Sequence, residues 1–304
     1  MRNYLSIDIG GTNLKYGLID YSGKLVLRKQ LETPNNFEEF KRIFIRIIAD
    51  YRKEIFGVAV SVPGKVDSKN GIVYFGGSLP FLDKINFKEM IQSEFGLLPV
   101  GVENDGKSAA LAELWLGALQ NHPDSAAIIL GTGVGGGIIL NNQLLPGSHF
   151  QAGELSFMVN NYQKQDIAKL VGMDVSAVEM IKQIANTLNL IDKKDGIAVF
   201  EQIKQQNEQA LKIFRLYCQR VAYLILNIQS VVDLTTYAIG GGISSQPLLV
   251  ETINQEYDKI LADLPLVKKT LTRPKIKKAK FENSANLYGA LYGLLQNLDK
   301  SSGY

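Results

Sequence analysis

The chain has 304 residues, 46% hydrophobic and 21% charged, with a formal net charge of +3. This composition excludes a disordered or fibrous chain, and the length allows a large core divided over two domains. One cysteine, Cys218, excludes an intramolecular disulfide and a cysteine-built metal cluster, and 33 basic against 30 acidic residues give no reason to expect nucleic acid as a partner.

Asp8 and the Gly10-Gly11 pair arrive before any long apolar stretch, which does not suit a signal peptide, and no window reaches bilayer length. The expectation is a cytoplasmic protein with no membrane partner. Tyr4–Ile9 alternates as a buried strand, and Leu14–Asp20 and Leu25–Glu32 follow it around the Tyr21-Ser22-Gly23 turn, giving three antiparallel strands. Phe37, Phe40, Ile43, Phe44, Ile47, Ile48 and Tyr51 recur at three- and four-residue spacing and define one face of a helix. Phe56–Val62 reads as a buried strand that stops at Pro63-Gly64. Asn86 caps a helix to Phe95 that Gly96 closes, Pro99–Glu103 is a strand, and Asp105 begins the next helix.

The opening hairpin pattern then returns in Ala126–Leu130, a glycine loop, Gly137–Leu140 and an Asn141-Asn142 turn. Asn207–Val232 is a long helix holding Cys218 as core filling, Thr235–Ile239 a strand, Pro247–Ile260 a helix, and Ala285–Leu298 the closing helix. The basic run Lys275–Lys280 reads as a strand with a solvated face rather than an anion site. The expected architecture is α/β, with two domains facing one another across a cleft: residues 1–117, to which helix 285–304 returns, and residues 118–284.

Four segments carry chemistry. Asp8-Ile9-Gly10-Gly11-Thr12 stands at a hairpin tip, where glycines bring main-chain N–H groups close to phosphate oxygens and Thr12 adds a donor, although an ordinary tight turn has the same look. Asp8 is placed to hold Mg²⁺ through water. Gly131-Thr132-Gly133-Val134-Gly135-Gly136-Gly137 puts five glycines in seven residues after a buried strand, which points to a ligand lying against backbone. It fits neither the dinucleotide fingerprint nor the P-loop. Gly240-Gly241-Gly242 follows a third strand and offers bare backbone to a base and ribose. Glu103-Asn104-Asp105-Gly106 joins a strand to a helix, where Asp is either a cap or, beside phosphate loops, the carboxylate that accepts a hydroxyl proton during phosphoryl transfer.

These segments, together with Gly153-Glu154, occur in the order and approximate spacing of the ROK (repressor, open reading frame, kinase) family, which the chain resembles over essentially its whole length. The resemblance implies an actin-like, ribonuclease-H-like fold, ATP and Mg²⁺ as cofactors, a small-molecule sugar as partner, and transfer to a hexose hydroxyl, most often at C6. It also implies a homodimer. By matching positions, Asp105 is the catalytic base, and Gly64, Asn104 and Glu154 serve the sugar. Asp8, Gly10, Gly11 and Thr12 serve one phosphate site, Thr132 and Gly133 the other, and Gly241 and Gly242 the adenosine. The chain departs from the family at its Gly-Glu-x-Gly-His element, which here is Gly153-Glu154-Leu155-Ser156-Phe157. The zinc-binding histidine and the cysteines after it are missing, so no zinc is expected and the likeness is to the zinc-less β-glucoside and N-acetylmannosamine kinases. Gly77-Ser78-Leu79-Pro80 also lacks an Asn that some relatives place before Leu-Pro.

His149 reads as a surface-loop residue or a substrate contact, His122 as part of a connection, and Trp115 as core. Rival functions belong to other classes, among them an actin-like assembly ATPase, which the Glu154 element fits less well than it fits a sugar. A repressor needs a DNA-binding domain before the glycine motif, whereas this motif begins at Asp8. A non-catalytic sugar sensor would not need Asn104, Asp105 and all three glycine turns together.

Overall fold

The computed structural model describes residues 2–301. Its backbone divides into two compact units, Met1–Gln120 with Leu144–Gly153 and Asn283–Tyr304, and Asn121–Gln143 with Glu154–Glu282.

In the first unit the strands are β1 (Asn3–Ile9), β2 (Asn13–Asp20), β3 (Leu25–Glu32), β4 (Ile55–Val62), β5 (Lys65–Asp67), β6 (Ile72–Phe75) and β7 (Val100–Asn104). The helices are α1 (Phe37–Tyr51), α2 (Phe87–Phe95) and α3 (Asp105–Leu116). One sheet has the order β3-β2-β1-β4-β7, antiparallel in the opening meander and parallel from β1 through β4 to β7; β5 and β6 form a separate hairpin. The apolar stripe of α1 faces this sheet, with Phe40 and Phe44 fully buried against Phe87 of α2. Burying each such ring is worth about 1.5–3 kcal/mol, so this cluster anchors that face.

In the second unit the strands are β8 (Ser125–Leu130), β9 (Val134–Leu140), β10 (Gln143–Leu144), β11 (Thr236–Gly240) and β12 (Lys275–Lys278), in the order β10-β9-β8-β11-β12. Its helices are α4 (Val171–Asp174), α5 (Ala177–Thr187), α6 (Gly196–Lys204), α7 (Glu208–Val232), α8 (Pro247–Asp263) and α9 (Pro265–Thr270). Each unit thus runs third-second-first-fourth-fifth strand across its sheet, so the weak repeat in the sequence is a repeat of topology.

The closing helix α10 (Ala285–Ser301) packs on α3, β4 and β7 of the first unit. A Cβ at Gly289 would collide with the Ser108 carbonyl, so glycine is what lets α10 approach α3. Trp115 stacks on Tyr292 with centroids 5.4 Å apart, the packing role its pattern indicates. Cys218 is fully buried in α7, and burial pushes its thiol well up, away from reactivity.

Contrary to the expectation from sequence, the glycine segment 131–137 is not one loop, since Val134–Leu140 is strand β9 and only Gly131–Gly133 is left to turn. The strand tolerates Gly136 because a Cβ there would lie 2.7 Å from the Ala127 carbonyl and 2.8 Å from Leu155. That glycine serves packing, not a ligand.

Candidate active site

Parallel strands end together, and in the first unit the C-terminal ends of β1, β4 and β7 bring three candidate segments to one sheet edge. The register pairs Asp8 with Ser61, Ser61 with Glu103, and Val62 with Asn104. Just beyond lie Gly10–Thr12, Gly64 and Asp105, although they are scattered through the sequence. Such edges are where open α/β sheets take ligands.

Asp8 is 4% exposed. Its Oδ1 accepts from Ser61 Oγ at 3.1 Å and Asn286 Nδ2 at 3.0 Å, and its Oδ2 is 3.6 Å from Lys15 Nζ. The next turn is closed by Gly10 N–H donating to the Asn13 carbonyl at 3.0 Å, and Thr33 Oγ1 donates to the Gly10 carbonyl at 2.6 Å. Gly11 and Thr12 are exposed, and Ser78 Oγ lies 2.9 Å from where a Gly11 Cβ would stand. Gly64 has a φ of +93°, and any side chain on it would collide with the Phe75 carbonyl, so both conformation and space demand glycine.

Asn104, not Asp105, caps α3: its Oδ1 accepts from Lys107 N–H at 3.1 Å, while Asp105 is the first helical residue. The Asn104 amide also donates to the Gly64 carbonyl at 2.9 Å and to Asp105 Oδ1 at 3.0 Å. Gly106 N–H donates to the same carboxylate oxygen at 2.8 Å. The carboxylate is therefore fixed in direction and stabilised as an anion by donors and by the positive end of the helix. Behind it, Glu103 is buried and accepts from Asn104 N–H at 2.9 Å; burial pushes its carboxyl up to about 7, against opposing contributions from that bond, Lys107 and Ser68.

In the second unit, β8 and β11 are parallel neighbours, so Gly131–Gly133 and Gly240–Gly242 leave adjacent strand ends. Gly241 has a φ of +99°, and a Cβ there would strike the Leu130 carbonyl. At Gly131 and Gly242, by contrast, a Cβ would meet nothing within 4 Å. The Gly131 carbonyl accepts from Ala177 N–H at 3.0 Å, which ties the loop to the start of α5. Ser156 Oγ hydrogen-bonds both the N–H and the carbonyl of Val134, at 3.1 and 3.0 Å, and stands 3.2 Å from a Cβ built on Gly133. Glu154 is half-buried immediately before this residue's short 3-10 turn, and Phe157 is 62% exposed.

The sequence matches the ROK family over residues 4–297. This chain belongs to the ROK family. It is 30% identical over 297 residues to the β-glucoside kinase of Listeria innocua serovar 6a, covering 96% of this chain and 97% of that one. Among solved structures, a ROK family protein from Streptococcus pneumoniae TIGR4 in complex with sucrose superposes with a TM-score of 0.87 at 26% identity, covering 98% of this chain and 99% of that one. A ROK family glucokinase from Streptomyces griseus in complex with glucose and AMPPNP gives a TM-score of 0.78 at 26% identity, covering 95% and 97%. The fold is the actin-like ATPase fold of these ROK proteins.

Several residues at these edges carry no local sequence signal. Ser61, Lys15 and Asn286 grip Asp8 from separate strands and from a helix 278 residues away, a distance no local pattern bridges. Lys107 is 5% exposed and donates to the carbonyls of Phe150 and Pro146 at 2.8 and 3.3 Å, where a helical lysine ordinarily reads as surface. His149 is exposed. His122 is structural: its Nδ1 is 3.1 Å from Thr236 Oγ1 and its Nε2 is 3.0 Å from Lys277 Nζ. Since the ammonium can only donate, that ring is neutral with its proton on Nδ1, consistent with a pKa lowered by burial and by Lys277 and Lys275.

Proposed function

We propose that this chain is an ATP-dependent carbohydrate kinase that phosphorylates a hexose, a hexose derivative or a β-glucoside at a primary hydroxyl. The observation that carries the reading is the Asn104-Asp105 pair, which presents a directed carboxylate at a helix start beside the Gly64 carbonyl. Phosphoryl transfer needs positioning, charge stabilisation and late acceptance of one proton. Asp105 accepts the proton from the attacking hydroxyl. Both N–H bonds of the Asn104 amide are used within the chain, so its remaining capacity is the second lone pair of Oδ1, which accepts from a sugar hydroxyl. Glu154 accepts from further hydroxyls.

The nucleotide fits the backbone of the second unit, where Gly131 and Gly242 keep open the space that a Cβ would fill. Thr132, Gly133 and Gly241 complete that surface, and the turn closed by the Gly10 N–H leaves Gly11 and Thr12 as exposed donors for the phosphates. Among the described residues there is no group of three or more His, Cys, Asp or Glu side chains able to hold a metal. Mg²⁺ suits this set, because it binds through one or two carboxylates and nucleotide phosphates, with Asp8 acting through water. When bound, it neutralises phosphate charge. The same reading carries a homodimer in the cytoplasm, both from the family.

The sugar is expected to be a β-glucoside or a less common hexose derivative rather than free glucose. Phe157 stands where zinc-containing relatives have a histidine, and it offers exposed apolar surface instead of a hydrogen-bonding ring. The 30%-identical β-glucoside kinase supports this choice. A panel of glucose, fructose, mannose, N-acetylmannosamine and cellobiose, ranked by kcat/KM, tests it. Preference for unmodified glucose over every other sugar would reject the substrate assignment.

A further inference from the structure

Among the carboxylates that the second unit buries is one, Asp174, for which the reaction has no use. Asp174, the last residue of the single-turn α4, has its side chain 1% exposed and is held by three other residues. Lys164 Nζ donates to Oδ1 at 3.1 Å, Asn160 Nδ2 donates to Oδ2 at 3.0 Å, and Arg220 Nε lies 3.4 Å from Oδ2. The Arg220 guanidinium also donates to the Asp174 carbonyl at 3.3 Å. Burying an ionised carboxylate is costly unless it is paired in this way. Arg220 belongs to the long α7, whereas Asn160 and Lys164 belong to the loop that leaves Glu154.

That loop has little regular structure of its own. Asn160 and Asn161 N–H donate to the Lys169 carbonyl at 2.9 and 3.2 Å, and Val171 N–H donates to Met158 at 2.8 Å. Upstream, Met158 N–H donates to Leu155 at 3.2 Å and Phe157 N–H to the Glu154 carbonyl at 3.4 Å. A continuous set of bonds therefore runs from the buried carboxylate to the backbone of Glu154.

We propose that Asp174 is a positioning residue for sugar recognition: its clasp with Arg220, Lys164 and Asn160 fastens the loop after Glu154 to α7 and so fixes the direction of the Glu154 carboxylate. The inference rests on the assignment of Glu154 to the sugar.

Asp174→Asn is a clean probe, because Lys164 and Arg220 are 43% and 28% exposed and border a cavity of about 250 Å³, so both cations can rehydrate. The expected result is a rise in sugar KM of about tenfold, as for lost coupling within one network, with the MgATP KM within about twofold of wild type. Trypsin should also cut faster at Lys164 and Lys169. In a double-mutant cycle with Glu154→Gln, the two effects on sugar KM should fall well short of multiplying. An unchanged sugar KM in folded Asp174→Asn, or an equal rise in the MgATP KM, overturns the proposal. If Glu154→Gln itself leaves sugar KM unchanged, the assignment beneath it fails instead; if only Asp174→Asn is silent, the clasp alone fails. Should Asp174→Asn not fold, Lys164→Gln must still raise sugar KM in the same direction, and its failure to do so counts against the clasp.

Discussion

Asp105 and Glu103 are two residues apart and sit in opposite environments. Asp105 opens a helix with donors on its carboxylate, whereas Glu103 is buried behind it with one backbone donor and a carboxyl pushed up to about 7. Replacing Asp105 by Asn removes the proton acceptor while keeping its shape, so kcat should fall at least ~10²-fold with MgATP affinity preserved, as measured by steady-state kinetics and calorimetry. Glu103 has a consequence for stability. Its folded pKa lies above its unfolded value near 4.5, so folding takes up a proton, and stability falls as pH rises from there through about 7. A shift of that size corresponds to about 3 kcal/mol, an upper figure for the cost of holding the ionised group at higher pH. Glu103→Gln should therefore gain stability over wild type at pH 8 and lose that advantage at pH 5, read by urea unfolding at both values. An advantage independent of pH would mean that Glu103 does not titrate in this range.

The glycines after β8 and β11 look alike as sequence, and geometry separates them. Gly241 is required by its φ and by the Leu130 backbone, Gly136 by packing inside β9, and Gly131 by neither. Gly241→Ala should cost about 1–3 kcal/mol of stability, whereas Gly131→Ala, whose Cβ meets nothing within 4 Å, should leave the melting temperature unchanged and, on the proposed nucleotide site, weaken MgATP binding. Loss of stability at Gly131 with normal nucleotide affinity would assign that turn to the fold alone. Most elements were legible because their cause is local: the apolar stripe of α1, the Asn86 cap of α2 and the Pro247 start of α8 all stand in the chain itself. Helix α5 also carried a local signal that was passed over, Ser176 capping Glu179 N–H before Met180, Ile181 and Ile184. The partners of Asp8 and Asp174 were not legible, because they meet only after strands and helices distant in sequence have packed.

At the scale of the whole molecule, the same five-strand order occurs in each unit, and in each the parallel strands deliver the candidate residues to one sheet edge. The first unit holds Asp8 and Asp105, and the second holds Glu154 and the open glycine turns. Metal content follows from the same composition: with Cys218 buried as the one cysteine, purified protein should hold zinc well below one per chain and regain full activity after chelation once Mg²⁺ is restored. One tightly held zinc per chain would contradict that. Phosphorylation of a sugar through Asp105 is read out by sugar-dependent ADP release, measured side by side in wild type and Asp105→Asn. ADP release should rise when the preferred sugar is added to the wild type, in equal amount with sugar phosphate, and the folded variant should bind MgATP while losing the sugar-dependent rate by ~10²-fold or more. Sugar binding without ADP release in the wild type, or near-normal release in the variant, would contradict it.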